Sequence, residues 1–321
     1  MTDGDRTAGD SRGRPPRIVL DCDPGHDDAV AIVVAARFTE LLGITTVAGN
    51  APLDRTTYNA CVMRDMLGLD TEVHSGAERP LVLAAADAAY VHGESGLDGA
   101  DLPAPTRGAD GTDAVGFIID TCRAHDDVWL VPIGPLTNIA LALRAAPDLA
   151  VRIAGISLMG GGRFGNRTPV AEFNIWADPH AAAIVFDSGV RLVMTGLDAT
   201  HRFQVTPDRI AEVDRLDGRL AQVLTDLFEF FTGNYVSRYE GLDGAPLHDP
   251  LAVLVLTHPE LFTVERRHVT VETVGELTRG MTVIDDRSQL DRRPGTCDVV
   301  GDLDAAALWA LVVAAIAASS S

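Results

Sequence analysis

The chain of 321 residues contains no lysine, so its 26 Lys-plus-Arg positions are all arginines. This excludes Schiff-base chemistry on a lysine amine and any phosphate-binding loop that depends on one. Positive charge is scarce too: 46 acidic residues give a formal net charge of -20 and a pI near 4.7. Phosphate backbones and anionic lipid are bound by clustered basic groups, so neither nucleic acid nor membrane is an expected partner. Cysteine is rare. Cys22, Cys61, Cys122 and Cys297 lie far apart with no C-x-x-C, and no basic, apolar leader precedes them, which makes a reducing cytoplasm the expected location. Bilayer-spanning runs of roughly 20 apolar residues are missing as well. The stretch 305–318 is shorter than that and reads as a closing helix buried against the core.

What is present is a 46% hydrophobic content, ample for a core. Residues 1–16 (MTDGDRTAGDSRGRPP) are polar, Gly-rich and aperiodic, the composition of a disordered arm. From Arg17 onward, 17–321 reads as a single domain in which short apolar, β-branched runs alternate with helix-length segments. RIVLD precedes a helix from Asp27, LLGITTVAG one from about Asp54, and WLVPIG one from about Thr137; IAGISLMGG and VRLVMTG flank a helix over 179–188. The alternation predicts an α/β fold: an open, mostly parallel sheet with helices on both faces. The segment 263–285 has a period near two and reads as a small antiparallel excursion. Ligands of such sheets bind beyond the carboxyl ends of the strands. The polar clusters sit there, with DCDPGHDD after the first run, GN after the second, GPLTN after WLVPI and GGGRFGN after ISLM.

DCDPGHDD places Asp21, Asp23, Asp27 and Asp28 within eight positions. Capping of the following helix accounts for one of them, or two. Four carboxylates around one turn raise one another's pKa unless a cation offsets them, and oxygen donors of this kind suit Ca2+ or Mg2+. A phosphatase of the haloacid dehalogenase type, with its D-x-D after the first strand, is the rival, but that class needs a lysine. Without one, a water activated beside a cation is the better nucleophile.

DCDPGHDDAVA, TVAGN, HGESGLDG (92–99), GPLTNIA (134–140), MGG followed by GN and AEFNIWADP (159–179), and HDP (248–250) occur in this order. Together they resemble the nucleoside hydrolases of the inosine-uridine preferring type, above all the pyrimidine-specific ribonucleoside hydrolases. The resemblance implies a Rossmann-like nucleoside hydrolase fold and a Ca2+ ion held by Asp23, Asp28, Asp249 and the main-chain carbonyl of Ile133. It implies Asp23 as general base toward water and Asp27 as partner of the ribose 2′-hydroxyl. Further ribose contacts are expected from Asn50, Asn166, Glu172 and Asn174; in AEFN an extended backbone would turn Glu172 and Asn174 to one side. Asp21 has two open roles, ion contact or hydrogen bonding within the loop.

The departing base calls for a proton donor, and His248 and His92 are the candidates because histidine exchanges protons near neutrality. Adjacency to Asp249 ranks His248 first and leaves His92 as a substrate contact. His26 is left without a role. Tyr235 and Tyr239 are expected to wall the base, core packing of a helix being the competing explanation. The glycines of HGESGLDG suit a mobile lid. The implied activity is Ca2+-dependent hydrolysis of uridine and cytidine to base and ribose. A broad inosine-uridine hydrolase is the nearest alternative, and a catalytically idle nucleoside-binding protein the alternative from another class. Family habit also implies a homo-oligomer, a dimer or tetramer.

Overall fold

The computed structural model describes residues 14–287 and 293–319. The expected arm 1–16 therefore lies outside the described residues except for 14–16, which are irregular. Six parallel strands, β1 (Arg17–Cys22), β2 (Glu40–Thr46), β3 (Val73–Ser75), β4 (Val128–Pro132), β5 (Gly155–Met159) and β6 (Leu192–Thr195), lie in the order β3-β2-β1-β4-β5-β6. Strand Cys297–Leu303 continues the sheet parallel to β6, and strand Phe262–Arg267 closes it antiparallel. Chain order reverses between β1 and β4, the crevice where such sheets take their ligands. No helix among the described residues is long and apolar enough to cross a membrane.

Strand β1 alternates as a strand covered on both faces must. Ile18, Leu20 and Cys22 enter one core and Val19 the other. On the first face packs α1 (His26–Phe38), whose Ala29–Ala35 stretch is completely buried beneath helices Pro250–Thr257 and Ala305–Ser319. Four of those residues, Val30, Ile32, Val33 and Val34, are β-branched. Each loses up to about 0.7 kcal/mol against alanine in helix propensity, but burying each side chain contributes about 1.5–3 kcal/mol. Packing therefore wins over intrinsic preference. The opposite face carries helices Ala114–Ala124, Thr137–Ala145 and Pro179–Phe186.

The expected excursion divides in two. Its first part, Phe262–Arg267, is the edge strand of the main sheet, while Val269–Val271 and Thr282–Ile284 form a separate antiparallel pair. Period-two patterning is common to both parts, and only long-range pairing separates them. The pair buttresses the loop after β5, since the Thr282 hydroxyl accepts from Gly162 N–H at 2.9 Å and donates to Gly162 C=O at 2.8 Å.

Candidate active site

The acidic knot is built where β1 ends. Asp28, in the first turn of α1, accepts hydrogen bonds from the main-chain N–H of Asp23 at 3.1 Å and of Gly25 at 3.0 Å. It thus caps its own helix and folds the DPG turn back. Asn50, after β2, donates its side-chain amide to Asp28 Oδ2 at 3.0 Å and its main-chain N–H to Asp23 Oδ2 at 2.6 Å. The other Asp23 oxygen, Oδ1, is buried with no hydrogen-bond partner. A Cβ at Gly49 would overlap Asp23 Oδ2, and one at Gly134 would overlap Oδ1. The glycines of GN and GPLTN thus leave room for this carboxylate.

Asp27, Asp28 and Asp249 each offer a carboxylate oxygen within 4.8 Å of the others. Asp23 stands beside this trio, close enough for its charge to act on Asp28 and Asp249. Burial raises the pKa of all four, and mutual repulsion adds to the rise for Asp23, Asp27 and Asp249; Asp27 reaches about 8. Such a group of buried hard oxygens, one of them unpartnered, fits a divalent cation. The Ile133 carbonyl closes the same cleft from the end of β4, where it accepts from the Asn174 amide at 2.8 Å.

Asp21 hydrogen-bonds rather than joining the trio. Its Oδ1 accepts from the Thr45 hydroxyl at 2.6 Å and from the Asn138 amide at 2.8 Å. Burial still pushes its pKa up to about 7. Asn138 also donates to Thr46 C=O and accepts from Ala77 N–H, so one side chain locks the GPLTN turn to β1 and β2. Asp178 of AEFNIWADP accepts from the Thr137 hydroxyl and from Leu81 N–H, both at 2.8 Å, and joins two distant motifs.

On the ribose side, Glu172 is extended but Asn174 already lies in helix Phe173–Ala177. The extended AEFN backbone expected from the sequence is absent because Glu172 caps that helix. Its carboxylate accepts from Asn174 N–H at 2.9 Å and Ile175 N–H at 3.1 Å, and also from Gly161 N–H at 3.0 Å. Both side chains still line the cleft. Burial, against these donors, moves Glu172 up to about 7. Asn166 accepts from Phe173 N–H at 2.9 Å.

The far wall carries His92, His248, Tyr235 and Tyr239. His248 Nδ1 lies 2.7 Å from the Thr200 hydroxyl and Nε2 lies 3.3 Å from that of Tyr235. Burial, and to a lesser degree His201, lowers its pKa well below the usual value. The two tyrosine rings stack with centroids 4.5 Å apart, and Tyr239 donates its hydroxyl to Asn166 C=O at 3.0 Å. Tyr235 is also core, packed with Val91 and Phe231. The pair thus lines the cleft and packs into the core at the same time. Tyr90, absent from the sequence reading, lines the mouth with the Arg167 and Arg238 guanidiniums over its ring.

Every expected site residue lines this one cleft except Asp23 and Asp28, which are wholly buried behind Asn50 and Gly25. The space in and above the cleft is about 480 Å³, open solvent at its mouth included.

Comparison with known proteins agrees with this geometry. The chain is 43% identical over 300 residues to the pyrimidine-specific ribonucleoside hydrolase RihB of Escherichia coli K12, covering 92% of this chain and 95% of that protein. Among solved structures, the purine-preferring ribonucleoside hydrolase from Gardnerella vaginalis matches with a TM-score of 0.89 and 33% identity, covering 95% of this chain and 99% of that one. A plant nucleoside hydrolase, PpNRh1, matches with a TM-score of 0.87 and 28% identity over 95% and 99%. With the family model for inosine-uridine preferring nucleoside hydrolases matching residues 18–310, the chain belongs to that family.

Proposed function

We propose that the protein is a Ca2+-dependent ribonucleoside hydrolase that prefers uridine and cytidine and releases free base and ribose. The observation that carries this reading is the unpartnered, buried oxygen of Asp23 beside three converging carboxylates, two of which, Asp27 and Asp249, line a cleft together with the amides of Asn50, Asn166 and Asn174. Asp23, Asp28, Asp249 and the Ile133 carbonyl would hold the ion. When bound, Ca2+ supplies the positive charge that keeps the carboxylates ionised and polarises nearby water and hydroxyls.

Asp23 takes the proton of the water that attacks C1′, while the C1′–N bond breaks and its electron pair leaves with the base. Asp27, Asn50, Asn166, Glu172 and Asn174 pair with ribose hydroxyls. Each pairing matters, because a buried hydroxyl left without a partner costs about 1–3 kcal/mol. Negative charge around the sugar favours the oxocarbenium character that develops there. His248 donates a proton to the departing base as the C1′–N bond breaks. Tyr235 and Tyr239 offer the base an aromatic wall.

Pyrimidine preference rests on the similarity to the E. coli enzyme. The likeness to a purine-preferring structure favours the broad inosine-uridine specificity as second reading. Four buried free thiols suit a reducing cytoplasm, and the dimer or tetramer implied by the family resemblance completes the reading. The test is incubation with uridine, cytidine and inosine, with Ca2+ or with chelator, following reducing sugar. Release fastest from the pyrimidines and abolished by chelator is expected. Equal rates with inosine would replace the preference by the broad specificity, and no sugar from any nucleoside in Ca2+ would refute the activity.

A further inference from the structure

The sugar side of the cleft is gripped by a hairpin that does not line it. The antiparallel pair Val269–Val271 and Thr282–Ile284 stands apart from the main sheet, and none of its residues faces the cleft. Two successive residues, Met281 and Thr282, hold the chain on either side of Glu172. Thr282 is buried, and its hydroxyl takes both main-chain groups of Gly162, the N–H at 2.9 Å and the C=O at 2.8 Å. Met281 forms an isolated antiparallel bridge with Ala171, the residue before Glu172. The turn leading into them presses on helix Phe173–Ala177. A Cβ at Gly280 would lie 2.8 Å from Trp176 Cα, and the φ of 85° there favours glycine as well.

Between these grips lies the Glu172 carboxylate. Its Oε2 accepts from Gly161 N–H at 3.0 Å and from Ile175 N–H at 3.1 Å, and its Oε1 from Asn174 N–H at 2.9 Å. Ile175 and Asn174 belong to the helix that Glu172 itself caps, so their amides follow from its own backbone. Gly161 is the donor from outside that helix, and it decides where the carboxylate is anchored. Gly161 and Gly162 have φ values of 74° and 147°, a stretch in which the backbone is stiffened by no side chain. Its shape is therefore set by what bonds its peptide groups. The peptide between the two glycines is pinned at both ends, its C=O accepting from Leu197 N–H at 2.9 Å and its N–H donating to Thr282.

We propose that Thr282 is a positioning residue for ribose binding: by holding Gly162 it aims the Gly161 N–H at Glu172 and fixes that carboxylate for the sugar. The hairpin thereby serves affinity for the ribose. The carboxylates at the tip of β1 are organised separately, by Asn50 and the main chain of Asp23 and Gly25. The inference rests on the cleft being a ribonucleoside site with Glu172 as a sugar contact, yet its first test is independent of turnover.

Amide hydrogen exchange on the full chain with Ca2+ should find the Gly161 and Gly162 N–H groups protected, as hydrogen-bonded amides are. Fast exchange at both overturns the proposal without any variant. Thr282→Val keeps the shape of the side chain and removes both hydrogen bonds. It should speed exchange at Gly162, at Gly161 and, across the loosened carboxylate, at Ile175, while Asp23 and Gly25 on the far side of the cleft stay unchanged. KM for uridine and for cytidine should rise by the same factor, roughly five- to tenfold, the worth of one hydrogen bond, because the ribose is common to both. The change in kcat should be smaller. Thr282→Ser, which retains the hydroxyl, should restore both signals, and Thr282→Ala serves in place of the valine variant if that one does not fold. Faster exchange at Gly162 alone, with Ile175 and KM unchanged, would reduce the contact to a local tie and overturn the assignment, as would a KM effect confined to one base. Failure of the wild type to cleave any nucleoside would instead defeat the nucleoside reading, leaving the exchange pattern to decide whether Thr282 holds Glu172.

Discussion

The floor and the far wall of the cleft are built differently. On the floor, the carboxylates of Asp23, Asp28 and Glu172 accept from main-chain N–H groups at 2.6–3.1 Å, and glycines at 49 and 134 leave space for one carboxylate alone. On the wall, Tyr235, Tyr239 and His248 come from one stretch of chain and His92 from a distant one, and ring stacking with a few side-chain bonds holds them. Floor residues are fixed by the backbone that carries them, whereas wall residues are fixed by one another. Substitution should therefore be abrupt in effect on the floor and graded on the wall.

The largest effect is expected from Asp249→Ala, which removes one of the three converging carboxylates. Turnover should fall by about three orders of magnitude or more, on the scale of losing a preorganised electrostatic group, in a steady-state assay with saturating Ca2+. Asp23→Ala should do the same with the fold intact by circular dichroism, and a near-normal rate would end its proposed role as base. Next comes Gly134→Ala, whose methyl would meet Asp23 Oδ1. A drop of roughly 10- to 100-fold in activity or ion affinity is expected, as for residues that orient a metal ligand.

Chelation probes the floor through stability. The carboxyl pKa values of Asp21 and Asp27 rise in the fold from 3.8 to about 7 and about 8. Without an ion, the protonated forms are favoured by folding. That stability is fully present below the unfolded value of 3.8 and is lost as pH rises through 7 to 8. The Tm of chelated protein should thus fall from pH 5 to 8, and the gain on adding Ca2+ should widen over the same interval. A gain independent of pH would show that the ion sits elsewhere. On the wall, Tyr235→Phe removes the hydroxyl beside His248 and should cost about tenfold in kcat, within the span of one hydrogen bond to a catalytic group. Tyr239→Leu, the mildest change, should alter the ratio of uridine to inosine kcat/KM by a few-fold, the scale on which apolar pockets discriminate.

Legibility followed the same division. Asp23, Asp28, Asn50 and Asp249 stand in short motifs at strand ends, where a local turn dictates what surrounds them. A cap from one or two of the loop aspartates was expected from the order of residues, and Asp28 supplies it. Asn138 and Asp178 also sit inside motifs, but their work, locking turns from distant strands, depends on partners such as Thr45 and Leu81 that no local pattern announces. Glu172 and Asn174 were expected in one extended segment, but only Glu172 is extended, and its cap starts a helix that holds Asn174. His26 was left without a role, and its partners, Phe230, Phe231 and His92, lie 66 or more positions away in the chain, where no local pattern announces them.

From the amino-acid order came the strand-helix rhythm, the crowding of aspartates at the tip of β1 and the need for an offsetting cation, since each follows from side-chain polarity and spacing over a few residues. Folding alone settled which carboxylates converge, which asparagine orients rather than binds, and how the two histidines of separate loops meet. Those outcomes depend on distances between segments that only the packed sheet and its helices bring into contact.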